Sequence, residues 1–302
     1  MDEIAGVLAA VLSAVFGGSA IGATRYLAGA ADPLAIGSLR FGVGVLLLAP
    51  IAAFGRAPWP ARRDWPAVVG LGLQFFALFP LLFNASLIYT TAARGALALS
   101  TLPLLTMAVG AALGVEALTW RKTVGVLIAM AGVAFALVSG LGQAPAGAWR
   151  GDCLMGLGAL CMALYNVWSR PFIRRSGPIP FTVVAMGVGA AALIALGCAR
   201  GSFAALPTFG FSQWTAALYL GAPGGALMFF LWAYALKHTT PTRVGVSITV
   251  NPVTASLVGA LLLSEPLRPS LVAGIVTVFA GIALATRPDA AAKPEMAPRP
   301  SG

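Results

Sequence analysis

Few side chains in this chain are of types that make or break bonds. The nine acids are scattered, the single histidine, His238, stands alone at a helix end, and Cys153, Cys161 and Cys198 show neither a CxxC pair nor metal-ligand spacing. No GxxxxGK[ST] phosphate loop occurs, so ATP hydrolysis is not expected, and no cofactor is expected either. What remains is the chemistry of recognition, carried by Arg40, Gln74, Asn84, Ser100, Tyr165, Asn166, Trp168, Trp232, Thr249 and Asn251. Each falls within an apolar run, where a polar group must bond either to a neighbouring helix or to a solute. Arg40, in "GSLRFGVG", is the one strongly charged residue well inside such a run. Three readings stay open for it: a counter-charge for a substrate carboxylate, a donor to backbone carbonyls, or a side chain that snorkels to the interface.

The elements that position these residues follow from composition. With 302 residues, 59% hydrophobic, 9% charged and a mean hydropathy of +0.90, the chain has too little polar surface for a soluble globule, and it reads as all-α and membrane-embedded. A bilayer core takes about 20 apolar residues per helix. Ten runs of that kind lie near 5–28, 33–54, 66–89, 91–114, 120–139, 151–173, 179–199, 212–236, 241–263 and 269–286. The first follows Asp2 and Glu3 rather than a basic region, so it is expected to stay as a span instead of being cleaved as a signal peptide. Gly140–Asp152 is a Gly-, Ala- and Pro-containing linker, and the tail from 288 to 302 is expected to be disordered. The basic residues are spread one to three at a time, which argues against nucleic acid as a partner. With the N-terminus inside, thirteen Lys and Arg fall on inner segments and five on outer ones, so both termini are expected in the cytoplasm.

"TTAARGA" from Thr90 and "TTPTRVG" from Thr239 are near copies, and at the same offset of 149 Arg94 matches Arg243, Pro103 matches Pro252, Glu116 matches Glu265, Gly125 matches Gly274 and Gly132 matches Gly281. The chain is an internal duplication. With five spans per copy, the second copy must enter the membrane upside down, an inverted-topology repeat of the kind secondary transporters use to open alternately to either side. Arg94 and Arg243 then read either as gates at opposite faces or as interfacial anchors, with the threonines near helix caps. Pro103 and Pro252 fall mid-span, where they are expected to kink equivalent helices, and nearby Ser100, Thr101, Thr249 and Asn251 either repair the kink or meet a solute. Glu116 and Glu265 are read as structural carboxylates at the positive end of the helix that follows each.

The block "LWAYALKHTTPTRVGVSITVNPVTASLVGALLLSEPLRPSLVAGIVTVFAGIAL", with its weaker partner "NASLIYTTAARGALALSTLPLLTMAVGAALGVEALTWRKTVGVLIAMAGVAFAL", resembles the EamA domain of the drug/metabolite transporter superfamily. The shared features are the fourth-helix proline, the Glu that ends that helix, and the paired glycines of the fifth; Arg40 in "LRF" is similar to an arginine these domains often carry in their second helix, though span seven has none. The resemblance implies ten helices around a central cavity, arranged as repeats over 1–139 and 153–287. It further implies a bacterial inner-membrane exporter of amino acids or other small metabolites rather than an enzyme. A non-transporting binding or assembly subunit, and an importer or exchanger of the same fold, are the alternatives.

Overall fold

The computed structural model describes residues 2–28, 30–90, 92–141, 146–254, 257 and 269–286. The described residues form helices and connecting turns. In order these are α1 (Asp2–Ala28), α2 (Pro33–Phe54), α3 (Trp65–Leu73), a π-helical segment Gln74–Leu78, α4 (Phe79–Tyr89), α5 (Ala92–Leu99), α6 (Leu102–Ala112), α7 (Trp120–Leu141), α8 (Ala148–Trp168), α9 (Arg170–Ser176) and α10 (Pro178–Arg200). Then follow α11 (Phe211–Gly221), a second π segment Ala222–Leu227, α12 (Met228–His238), α13 (Pro241–Ser247) and α14 (Pro269–Thr286). Among the described residues, five continuous helical stretches are long and apolar enough to cross a membrane: Asp2–Ala28, Pro33–Phe54, Arg62–Ser86, Pro178–Arg200 and Phe211–His238. Their outward faces carry large apolar side chains such as Leu8, Leu46, Phe54 and Leu218, a surface that hydrocarbon solvates and water does not.

Irregularities recur at the 149-residue offset. The π segments occupy equivalent places, since Gln74–Leu78 maps onto 223–227, and α4 maps onto α12. A proline accompanies each, Pro80 just after the first and Pro223 inside the second; a ring without an N–H loosens the i→i−4 ladder there. The fourth run is broken between α5 and α6, where Ser100 N–H donates to the Leu97 carbonyl at 3.1 Å, and its counterpart is broken where Thr249 N–H donates to the Val246 carbonyl at 3.2 Å. Both breaks are tight i→i−3 turns. The mid-span kink expected at Pro103 is therefore a full break one turn earlier, with Pro103 in the first turn of α6. There a missing N–H costs nothing. Pro252 follows the second break in the same way, within the helical residues 250–254.

Packing is reciprocal across the same offset. α1 lies on α12 while α8 lies on α4, and α2 packs on α10 and α11 while α10 packs on α2 and α3. The seam between α7 and α14 is a close approach of two backbones. A Cβ on Gly132 would sit 2.7 Å from Val278 N, and one on Gly281 would sit 2.4 Å from Ala129 N, so only glycine admits the two backbones at that spacing. Gly125 faces Ala285 while Gly132 faces Val278, so the two helices run antiparallel. Gly37 against Leu193 and Gly44 against Met186 give the same antiparallel sense for α2 and α10.

Two boundaries differ from the sequence-based expectation. α8 already begins at Ala148, because Gly147 takes a left-handed φ of 80° that lets the chain turn into a helix directly, so the linker is shorter than 140–152. α8 also ends at Trp168, and the expected span to 173 is finished by the separate α9. The tail 288–302, together with Glu265, lies outside the described residues.

Candidate functional site

At the centre of the bundle Arg40 on α2 reaches the second π segment, where Nε and Nη2 donate to the Gly224 carbonyl at 3.0 and 2.8 Å. Of its three open readings, the carbonyl partner is the one the geometry realises. Nη2 also approaches Met228 Sδ at 3.2 Å, and the guanidinium stands 5.7 Å from the Phe41 ring and 5.6 Å from that of Phe229. Nη1 donates to nothing among the described residues. From Phe229 an aromatic chain runs to Phe75 and Phe76 of the first π segment, and Phe75 stacks on Tyr165 with centroids 4.0 Å apart. The first π segment therefore presents two aromatic side chains to one central cluster, and the second presents the Gly224 carbonyl. The neighbouring Asn166 is fully buried and accepts at Oδ1 from Trp232 Nε1 at 3.0 Å, while its Nδ2 has no partner. Asn251, just past the break after α13, likewise keeps Oδ1 buried without a partner; it lies against Gly17 of α1, which also touches Met228. An unpaired buried amide costs about 1–3 kcal/mol, so these two atoms are places where a solute's polar groups would be welcome.

The other sequence candidates are distributed differently. Gln74 Nε2 donates to the Cys161 carbonyl and Cys161 Sγ to the Gln74 carbonyl, both at 3.1 Å, so Gln74 staples a π segment to α8. Ser100, Thr101 and Thr249 donate their hydroxyls to carbonyls three residues back, repairing the breaks. Asn84 is half-buried on α4, and Trp168 at the end of α8 is 45% exposed. Among the described residues no three His, Cys, Asp or Glu side chains gather as a metal would require.

The bundle end that holds the N-terminus is closed by charges. Arg243 at the start of α13, 3% exposed, pairs with Glu3 of α1. Beside it Glu116 pairs with Lys122 at 3.0 Å and accepts from Thr242 N–H at 3.1 Å and Thr242 Oγ1 at 2.9 Å. Glu116 thus caps α13, not the α7 that follows it in sequence, because α6 stops at Ala112 and the turn swings the carboxylate across to α13. Thr239 and Thr240 keep buried hydroxyls without partners and Thr90 donates to Asp152 at 2.8 Å, so none of these three acts as a side-chain cap. The offset that carries Arg243 to Arg94 carries Glu3 to Asp152. This second pairing of types was readable in the sequence and was missed. The side chain of Arg94 lies outside the described residues.

The model of the EamA-like transporter family matches residues 4–138 and 149–287. Similar curated proteins include an uncharacterized transporter of Archaeoglobus fulgidus, 27% identical over 91% of this chain and 96% of its own length. An uncharacterized transporter of Bacillus subtilis, YyaM, is 24% identical over 90% of each chain, and an uncharacterized protein of Pseudomonas aeruginosa is 32% identical over 86% of each. One solved crystal structure superposes with a TM-score of 0.76 at 22% identity, covering 93% of this chain and 96% of the other, a likeness of fold.

Proposed function

Because the chain belongs to the EamA-like transporter family, a family of multi-pass membrane transporters, we propose that it is a secondary transporter exporting a small metabolite such as an amino acid by alternating access. Its ten spans form two five-helix halves, 1–139 and 153–287, inserted in opposite senses with both termini cytoplasmic in a bacterial inner membrane. The observation that carries this reading is the antiparallel pairing of equivalent helices, α7 with α14 and α2 with α10, through contacts that exchange between the copies. An inverted repeat has a two-fold axis in the membrane plane, and helices related by such an axis meet in that way.

Recognition falls to Arg40, Tyr165, Asn166, Trp232 and Asn251. Arg40 Nη1 offers a donor to a carboxylate, Asn166 Nδ2 offers a second donor, and the Phe41, Phe75 and Phe229 rings supply an apolar wall. Arg243 with Glu3 holds the cytoplasmic side shut, and Arg94 and Asp152, their counterparts at the 149-residue offset, serve as the gate of the outer side. The helix breaks and π segments, located alike in both copies, are where the backbone bends between states. Reconstitution into proteoliposomes with a panel of labelled amino acids and small metabolites tests this. Flux of at least one zwitterionic or anionic solute above protein-free vesicles is expected. A folded, inserted protein that moves none of them would leave the binding-subunit alternative.

A further inference from the structure

We propose that a cleft between the ends of α2, α10 and α12 binds an anionic phospholipid. The cleft has a volume of about 400 Å³, within the size of ordinary ligand sites. Its floor is apolar, from Ile51, Ile179 and Phe230, and its rim carries Arg56 and Lys237. Tyr234 and His238, with ring centroids 4.1 Å apart, form one wall. Arg174 Nε donates to the Lys237 carbonyl at 3.3 Å, which places a third cation beside the rim.

No described carboxylate neutralises these cations. Three described carboxylates of this end are engaged elsewhere, since Asp64 holds Arg175 at 3.1 Å, Glu116 holds Lys122 and Glu3 holds Arg243, while Asp2 at the start of α1 forms no ion pair with these cations. Among the described residues no acid lines the cleft, and Arg56, Arg174 and Lys237 form no ion pair. A site with unneutralised positive charge recruits an anion. The occupant is a lipid, not a soluble anion, because the floor runs on into the exposed apolar flank of α2, where Leu46, Leu47, Ile51 and Phe54 face outward. Acyl chains lie along such a flank, and a headgroup phosphate seated at the helix ends meets the rim. Basic pockets between membrane helices take anionic headgroups on these grounds, with each Lys or Arg near the surface adding roughly 1 kcal/mol.

Native mass spectrometry of the purified full-length chain tests the proposal, with phosphatidylglycerol and phosphatidylcholine supplied at equal concentration. Phosphatidylglycerol adducts are expected to survive activation in preference to phosphatidylcholine adducts. In the double variant Arg56→Gln/Lys237→Gln that preference should fall by about tenfold or more, while the variant stays monodisperse in size exclusion. Inorganic phosphate should not displace the retained lipid. Equal retention of the two lipids by the wild type, an unchanged preference in the double variant, or displacement by phosphate alone would each overturn it. None of these readouts depends on solute flux, so they stand apart from the test of transport.

Discussion

Replacing Glu116 by Gln is a near-isosteric change whose cost can be worked from the site. The Glu116 carboxylate is 4% exposed and the Lys122 side chain 7% exposed, with Nζ 3.0 Å from Oε1. Glutamine keeps a carbonyl oxygen for Thr242 N–H and Oγ1, so those two bonds survive. What is lost is the counter-charge of a buried ammonium, whose remaining contact is the Ala117 carbonyl at 3.4 Å. Removing one partner of a buried ion pair costs about 3–5 kcal/mol, whereas removing both charges is often close to neutral. Glu116→Gln is therefore expected to destabilise strongly, and Glu116→Gln combined with Lys122→Met to recover most of that loss. A coupling energy on the order of 2 kcal/mol is expected from the cycle. Equilibrium denaturation of the four proteins in one detergent measures it. A single variant within 1 kcal/mol of wild type, or strictly additive singles, would refute the buried pair as the tie between the turn after α6 and α13.

Three further outcomes are expected. Gly281→Ala, whose Cβ would meet Ala129 N at 2.4 Å, should cost about 1–3 kcal/mol in the same assay, while Gly42→Ala, with nothing within 4 Å, should be neutral or slightly stabilising. Pro103→Ala and Pro252→Ala should each lower flux more than stability, since restored N–H groups let the helix run through the break; equal flux per folded molecule would make both prolines structural only. Arg40→Ala should weaken transport of anionic and zwitterionic solutes more than neutral ones in a competition panel, and a uniform loss would return Arg40 to its carbonyl-bonding role.

Much of the architecture was legible because it repeats. Runs of about 20 apolar residues marked the helices, and one offset tied Gly125 and Gly132 to Gly274 and Gly281 before the α7–α14 seam was visible. Interruptions were harder to read. A π segment leaves no periodicity signal of its own, and Pro80 and Pro223 mark only its neighbourhood. The breaks near Ser100 and Thr249 arise from hydroxyls competing for backbone carbonyls, a local choice that composition does not display. Arg40, Tyr165, Asn166 and Trp232 stood out in the sequence because they are polar or aromatic groups within apolar runs. The partners that define them did not: Gly224 acts through its carbonyl and Met228 through its sulfur, and both look like packing residues in sequence. Glu116 was placed on the wrong helix because sequence adjacency to α7 hid its spatial adjacency to α13.

The most direct test of the inverted repeat uses one equivalent pair of exposed loop residues, Pro58 between α2 and α3 and Pro207 between α10 and α11, which the 149-residue offset relates. In a chain with Cys153, Cys161 and Cys198 replaced by serine, Pro58→Cys and Pro207→Cys are treated in intact cells with a membrane-impermeant thiol reagent. Labelling of Cys at 207 in intact cells, with Cys at 58 labelled only after permeabilisation, is the predicted result. Labelling of both positions from the same face would contradict the inversion and, with it, the alternating-access account.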